Sequence, residues 1–146
     1  MTETETGAYQ QAFEHAQKLL ETGQAELALQ QVDAILEVHP RDVKTNFLKG
    51  SALRQLGQFE EAIALLGQLA RATTGVGVIH QELGYALHAV GRMEDAVVSL
   101  REAVNINPKL AGSWKLLGES LLSEGEAEEA TEAIRRGVSN YRQVSD

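Results

Sequence analysis

One spacing governs the whole chain. Gly23, Gly57, Gly91 and Gly125 are equally spaced, and Ala28, Ala62, Ala96 and Ala130 repeat the same step of thirty-four. A second glycine column, Gly50, Gly84 and Gly118, keeps that interval, with Ala16 in the equivalent place near the N-terminus. Self-similarity at a period of roughly 20 to 50 residues is the sequence mark of a stacked repeat, and it overrides the expectation of an ordinary globular domain. The units are Tyr9–Asp42, Val43–Val76, Gly77–Leu110 and Ala111–Val144. They leave residues 1–8 as a flexible acidic tail and residues 9–146 as a single repeat domain.

Each unit divides into two helical halves. In the third, Ile79, Leu83, Ala86, Leu87 and Val90 lead to Gly91, and then Met93, Ala96, Val97, Leu100, Ala103 and Val104 lead to Pro108. Apolar residues at three- and four-residue steps are the pattern of an amphipathic helix. The glycine between the halves sits where a left-handed C-terminal cap is wanted. The acidic pairs Glu60–Glu61, Glu94–Asp95 and Glu128–Glu129 follow it, in the first turn of the next helix, where the helix dipole favours negative charge. Each unit is therefore a helical hairpin, and the chain is all-α with about eight antiparallel helices. The glycines at 50, 84 and 118 fall in mid-helix, where each costs about 1 kcal/mol relative to alanine. Close approach of the partner helix, with the column alanines opposite, is the expected compensation.

Chemistry-bearing constellations are sparse. With no cysteine, the chain has no disulfide, thiolate zinc site or thiol nucleophile. His80 and His88 share a helix eight residues apart, which is not the four-residue spacing that sets two ligands on one metal. The segment Ala72–Gly77, ATTGVG, lacks the lysine and the strand–loop–helix setting of a phosphate loop, and reads as a turn between units. Carboxylates occur as helix-start pairs and exposed charges. No enzyme, metal or cofactor is expected. A net charge of −8 argues against nucleic acid, which needs clustered lysine and arginine. The N-terminal MTETETGAYQ is polar, and no apolar run approaches the length of a membrane span, so no membrane partner is expected and the address is read as cytoplasmic.

The series Trp114, Leu117, Gly118, Leu121, Ala130 and Ile134, with Ala96, Leu100 and Pro108 before it, resembles the tetratricopeptide repeat (TPR). Units of that family run over about 34 residues with a Trp, Leu-Gly, aromatic, Ala, Phe, Pro pattern. The resemblance covers nearly the whole chain. Departures are Lys49 and His15 at large aliphatic positions, Thr74 in place of the unit-ending proline of Pro40 and Pro108, and Ala12, Asn46 and His80 where only Trp114 keeps the aromatic. The resemblance implies a right-handed α-solenoid of four TPR hairpins, whose first helices line a concave groove that binds a peptide or protein.

On that geometry the groove rows are Phe13, Phe47, Gln81 and Lys115; Gln17, Ser51, Tyr85 and Glu119; and Arg54, His88 and Leu122 with Leu20, flanked by Lys44. The alternative for Phe13 and Phe47 is packing between neighbouring helices. The lysine–asparagine–arginine clamp by which some family members hold a C-terminal carboxylate is missing, since its places hold Phe13, Gln17, Leu48, Val78 and Glu82. The leading expectation is a non-catalytic scaffold. The run His80–Ala130 also resembles the repeat arm that precedes some bacterial sulfotransferase domains, which implies an adaptor of a larger enzyme as an alternative. A third is self-association, a homodimer through the C-terminal helix, because Ile134 and Val138 lack a covering helix in this reading.

Overall fold

The computed structural model describes residues 2–145, with side chains to residue 142. Among these it has eight α-helices and no strand: α1 (Glu3–Glu21), α2 (Ala25–Val38), α3 (Val43–Gln55), α4 (Phe59–Ala72), α5 (Gly77–Ala89), α6 (Met93–Ile106), α7 (Ala111–Ser123) and α8 (Ala127–Ser145). The chain divides into two compact units, Met1–Leu69 and Ala70–Asp146, with the boundary inside α4.

The hairpin turns are one structure made four times. Gly23, Gly57, Gly91 and Gly125 have φ between 76° and 83°, in the left-handed region that glycine enters without steric cost. At Gly57 the glycine N–H donates to the Arg54 carbonyl at 3.0 Å and the next N–H, of Gln58, to the Leu53 carbonyl at 2.9 Å. This is the paired closure of a Schellman motif, which satisfies carbonyls that the ending helix leaves open. Its counterparts are Gln24 to Leu19, Arg92 to Leu87 and Glu126 to Leu121. Gly75, φ 77°, lets the segment after α4 turn without a proline.

The mid-helix glycines do mark close approach, but the partner differs from the expected one. A methyl built at Gly50 would lie 2.6 Å from Leu66 Cδ2, and one at Gly84 would lie 2.6 Å from Leu100 Cγ. At Gly118 the atom met is Ile134 Cγ1. The glycines therefore receive the aliphatic side chain one turn beyond each column alanine. The alanines themselves, Ala28, Ala62, Ala96 and Ala130, are wholly buried.

The N-terminal expectation needs correction. Residues 3–8, read from sequence as a flexible tail, form the first turns of α1. Thr2 accepts from the Glu5 N–H at 3.1 Å while the Glu5 carboxylate accepts from the Thr2 N–H at 2.9 Å. This capping box satisfies two donors that a helix start leaves bare.

Two departures from the repeat pattern also find their reason. Lys49, at an aliphatic position, bridges Asp33 at 2.9 Å. Asn46, at an aromatic position, donates from Nδ2 to the Pro40 carbonyl at 3.1 Å, as Trp114 Nε1 does to the Pro108 carbonyl at 2.8 Å. Each donor lies six residues beyond its proline. In these two repeats the position supplies an N–H that reaches back to the inter-repeat turn, and asparagine does so without the ring.

Candidate partner-binding surfaces

The twelve residues assigned to a groove fall six to each compact unit, and each unit carries its own face. In the N-terminal unit, Gln17 and Lys44 are exposed, while Phe47 and Arg54 are half-buried. Ser51 is only 6% exposed and so cannot meet a partner. Helix α3 turns it inward, next in the chain to Gly50. Phe13 packs against the core of Ala16, Leu20, Val32 and Leu48 and stacks on Tyr9 with ring centroids 6.1 Å apart. That is the packing alternative for Phe13, since most of its ring serves the fold.

Beside it lies a polar knot that the sequence did not announce. Tyr9 donates to Asp42 Oδ2 at 2.6 Å, and the same carboxylate oxygen caps α3 by accepting the Thr45 N–H at 3.0 Å. Burial would raise the Asp42 carboxyl, but the hydrogen bonds from Thr45 and Tyr9 outweigh it and hold it below its ordinary value. Burial and the neighbouring Asp42 push the Tyr9 phenol up. His39 meets the Tyr9 ring edge-on at 5.4 Å.

In the C-terminal unit, Gln81 Nε2 donates to the Tyr85 hydroxyl at 3.0 Å, joining the two along one face of α5. That hydroxyl rests against Gly112 at the start of α7, where any Cβ would strike it. One turn further, Lys115 is exposed, as are Glu119 and Leu122, the last at 51%. His88 is half-buried. Tyr85, which spacing had placed in a different row from Gln81 and Lys115, is thus joined to Gln81 and set against the start of α7, one turn from Lys115.

A second surface was only partly foreseen. Ala111, Gly112 and Lys115 of α7 and Ile134, Gly137, Val138 and Tyr141 of α8 line an apolar groove of about 520 Å³. The sequence flagged Ile134 and Val138, but not Gly137, Tyr141 or the α7 contribution. One repeat earlier, the same lining maps onto Gly77, Val78, Gln81, Leu100, Ala103, Val104 and Asn107. There Leu100, Ala103 and Val104 are 0%, 0% and 4% exposed, whereas Ile134 and Val138 are 37% and 49% exposed. The groove occupies the place that α7 fills in the preceding repeat.

Among the described residues no group of three or more histidine, aspartate or glutamate side chains could hold a metal ion. No helix among them is long and apolar enough to cross a membrane.

Paired helices closed by a left-handed glycine and repeated four times define a helical-hairpin repeat protein. Two family models described as tetratricopeptide repeat match residues 13–76 and 79–110, and the chain belongs to the tetratricopeptide-repeat family. It is a protein-interaction module of that family. No curated protein matches it. Solved structures do. MamA 41-end from Desulfovibrio magneticus RS-1 is 18% identical with a TM-score of 0.80, covering 92% of this chain and 76% of that one. A MamA RS-1 double mutant is 20% identical with a TM-score of 0.81, covering 94% and 78%. A further MamA crystal structure is 14% identical with a TM-score of 0.80, covering 94% and 80%. At these identities the likeness shows the fold alone.

Proposed function

We propose that the chain is a non-catalytic scaffold that holds an extended or helical peptide segment against the first helices of its repeats. The observation behind this reading is the cluster of Gln81, Tyr85 and Lys115 around Gly112, an amphipathic ring and a cation presented together on α5 and α7. Phe47 and Lys44 make a similar pairing on α3 of the other unit. Tyrosine with a nearby cation suits a segment with apolar anchors and acidic residues, because the ring gives contact area at low entropic cost and the cation selects charge. The contacting set in this reading is Gln17, Lys44, Phe47 and Arg54, and Gln81, Tyr85, His88, Lys115, Glu119 and Leu122.

The test is capture from a displayed library of acidic-aromatic and acidic-aliphatic peptides. Tyr85→Ala and Phe47→Ala each weaken capture by about tenfold or more while the melting temperature stays within a few degrees. Unchanged capture by both variants removes these faces from consideration.

A cytoplasmic address belongs to the same reading, supported by the absence of a membrane-crossing helix among the described residues. None of the matches above is a sulfotransferase, and nothing here favours the enzyme-arm alternative. A second copy of the chain is a further partner we propose, through α8. It is favoured by the exposure of Ile134 and Val138 where Leu100 and Val104 are covered.

A further inference from the structure

Among the described residues, helix α8 combines two features that the other helices do not. Its exposed apolar residues, Ile134, Val138 and Tyr141, recur at four and three, so they form one narrow seam on a single face. Its charges are segregated along its length. From Ala127 to Glu132 it has Glu128, Glu129 and Glu132 and no base; from Ala133 to Ser145 it has Arg135, Arg136 and Arg142 and no acid.

At about 100° per residue, Glu128 falls on the same flank of the seam as Arg135 and Arg142. The remaining acids are otherwise engaged or turned away: Glu129 bridges Arg101 of α6 at 2.5 Å, and Glu132 holds Arg135 at 2.7 Å and Arg136 at 2.9 Å. A helix that is acidic then basic along one flank of an apolar seam is complementary to itself run backwards.

We propose that α8 pairs with α8 of a second copy about a two-fold axis near Ile134 and Arg135, the two helices antiparallel. The inference rests on the α8 self-association stated above and specifies its geometry. An axis perpendicular to the helices keeps the charged flank of both copies on the same side, so Glu128 of each faces Arg142 of the other while the seams close at the centre. A parallel pair, related by an axis along the helices, would put the two charged flanks on opposite sides of the seam and leave Glu128 without an arginine opposite it. Arg135, which approaches the axis, is neutralised by Glu132 of its own helix.

The assembly stops at two. A head-to-tail stack would need α1 of a second copy to lie on α8 as α7 lies on α6. Where α7 turns Ser113, Leu117 and Ser120 into its contact, all buried, α1 has Gln11, His15 and Lys18, all exposed. That polar face does not cover an apolar groove.

The experiment is sedimentation of the full chain across about 1–300 μM, a range set by the small area such a seam buries, together with cysteine pairing in this cysteine-free sequence. The expected result is a monomer–dimer equilibrium. Val138→Glu weakens it by about tenfold or more without lowering the melting temperature, because Val138 is half-exposed in the monomer. Glu128→Arg alone weakens the dimer, and Glu128→Arg with Arg142→Glu restores it. Thr131→Cys mixed with Val138→Cys gives a disulfide-linked heterodimer, while neither variant alone links to itself.

A monomer throughout the range overturns both the α8 self-association and this geometry, as does a dimer indifferent to Val138→Glu. Self-linking by both single cysteine variants shows a parallel pair, which leaves α8 as the interface and overturns the antiparallel arrangement. Masses growing beyond two copies overturn the closed dimer.

Discussion

The third and fourth repeats are built alike and finish differently. Both close a hairpin at a left-handed glycine, φ 82° at Gly91 and 83° at Gly125. Both seat an aliphatic side chain on a mid-helix glycine, Leu100 on Gly84 and Ile134 on Gly118. Yet Leu100 is fully buried and Ile134 is 37% exposed; Val104 is 4% exposed and Val138 49%. The third repeat has α7 over its second helix, and no described helix plays that part for the fourth. Burial in such an array is a property of the neighbour more than of the repeat, because one hairpin cannot cover its own outer face.

Truncation should expose the contrast most strongly. Leu100→Ala is expected to cost about 3 kcal/mol, the loss of a fully packed side chain plus the cavity it leaves, and Ile134→Ala no more than about 1 kcal/mol. Chemical denaturation of both variants measures this, and equal losses would mean that α8 is as well covered as α6. Crowding the glycine seats is the next sharpest probe. An alanine gains roughly 1 kcal/mol of helix propensity at either site. At Gly84 it meets Leu100, which has no room to retreat, so Gly84→Ala is expected to destabilise by about 1–2 kcal/mol. At Gly118 it meets Ile134, which has solvent to move toward, but also the Ala130 carbonyl oxygen at 3.1 Å, which does not move, so the net cost is expected at about 1 kcal/mol.

The smallest expected effect lies at a column shared by the two repeats. Ile79 fills its site at 1% exposure, while the Ser113 hydroxyl, wholly buried, finds no hydrogen-bond partner among the described residues. An unsatisfied buried hydroxyl is a cost that alanine removes. Ser113→Ala should therefore raise the melting temperature slightly, for a gain of up to about 1 kcal/mol. A clear loss would point to a partner for that hydroxyl.

Much of the fold was legible because it is local. A glycine once in every repeat, flanked by apolar steps of three and four, locates every hairpin turn, and the Schellman closures there span only six residues. The start of α1 was equally local but was overlooked: the Thr2-x-x-Glu5 spacing of a capping box stood in a segment read only for its charge. The candidate site was less legible. Ser51 fits the groove register by counting, yet it is buried beside Gly50. Phe13 fits as well, and most of its ring belongs to the core.

The order of residues alone set the helices, their ends, the repeat and its family, since each depends on contacts within one or two turns of chain or on simple recurrence. Tertiary packing decided which of two equivalent residues is hidden. Leu100 and Ile134 are interchangeable in the pattern, and only the presence of α7 over the first separates them. It decided too that Asn46 could do the work of Trp114, because the task is a donor reaching one carbonyl, and that distance exists only once the turn and the helix have come together.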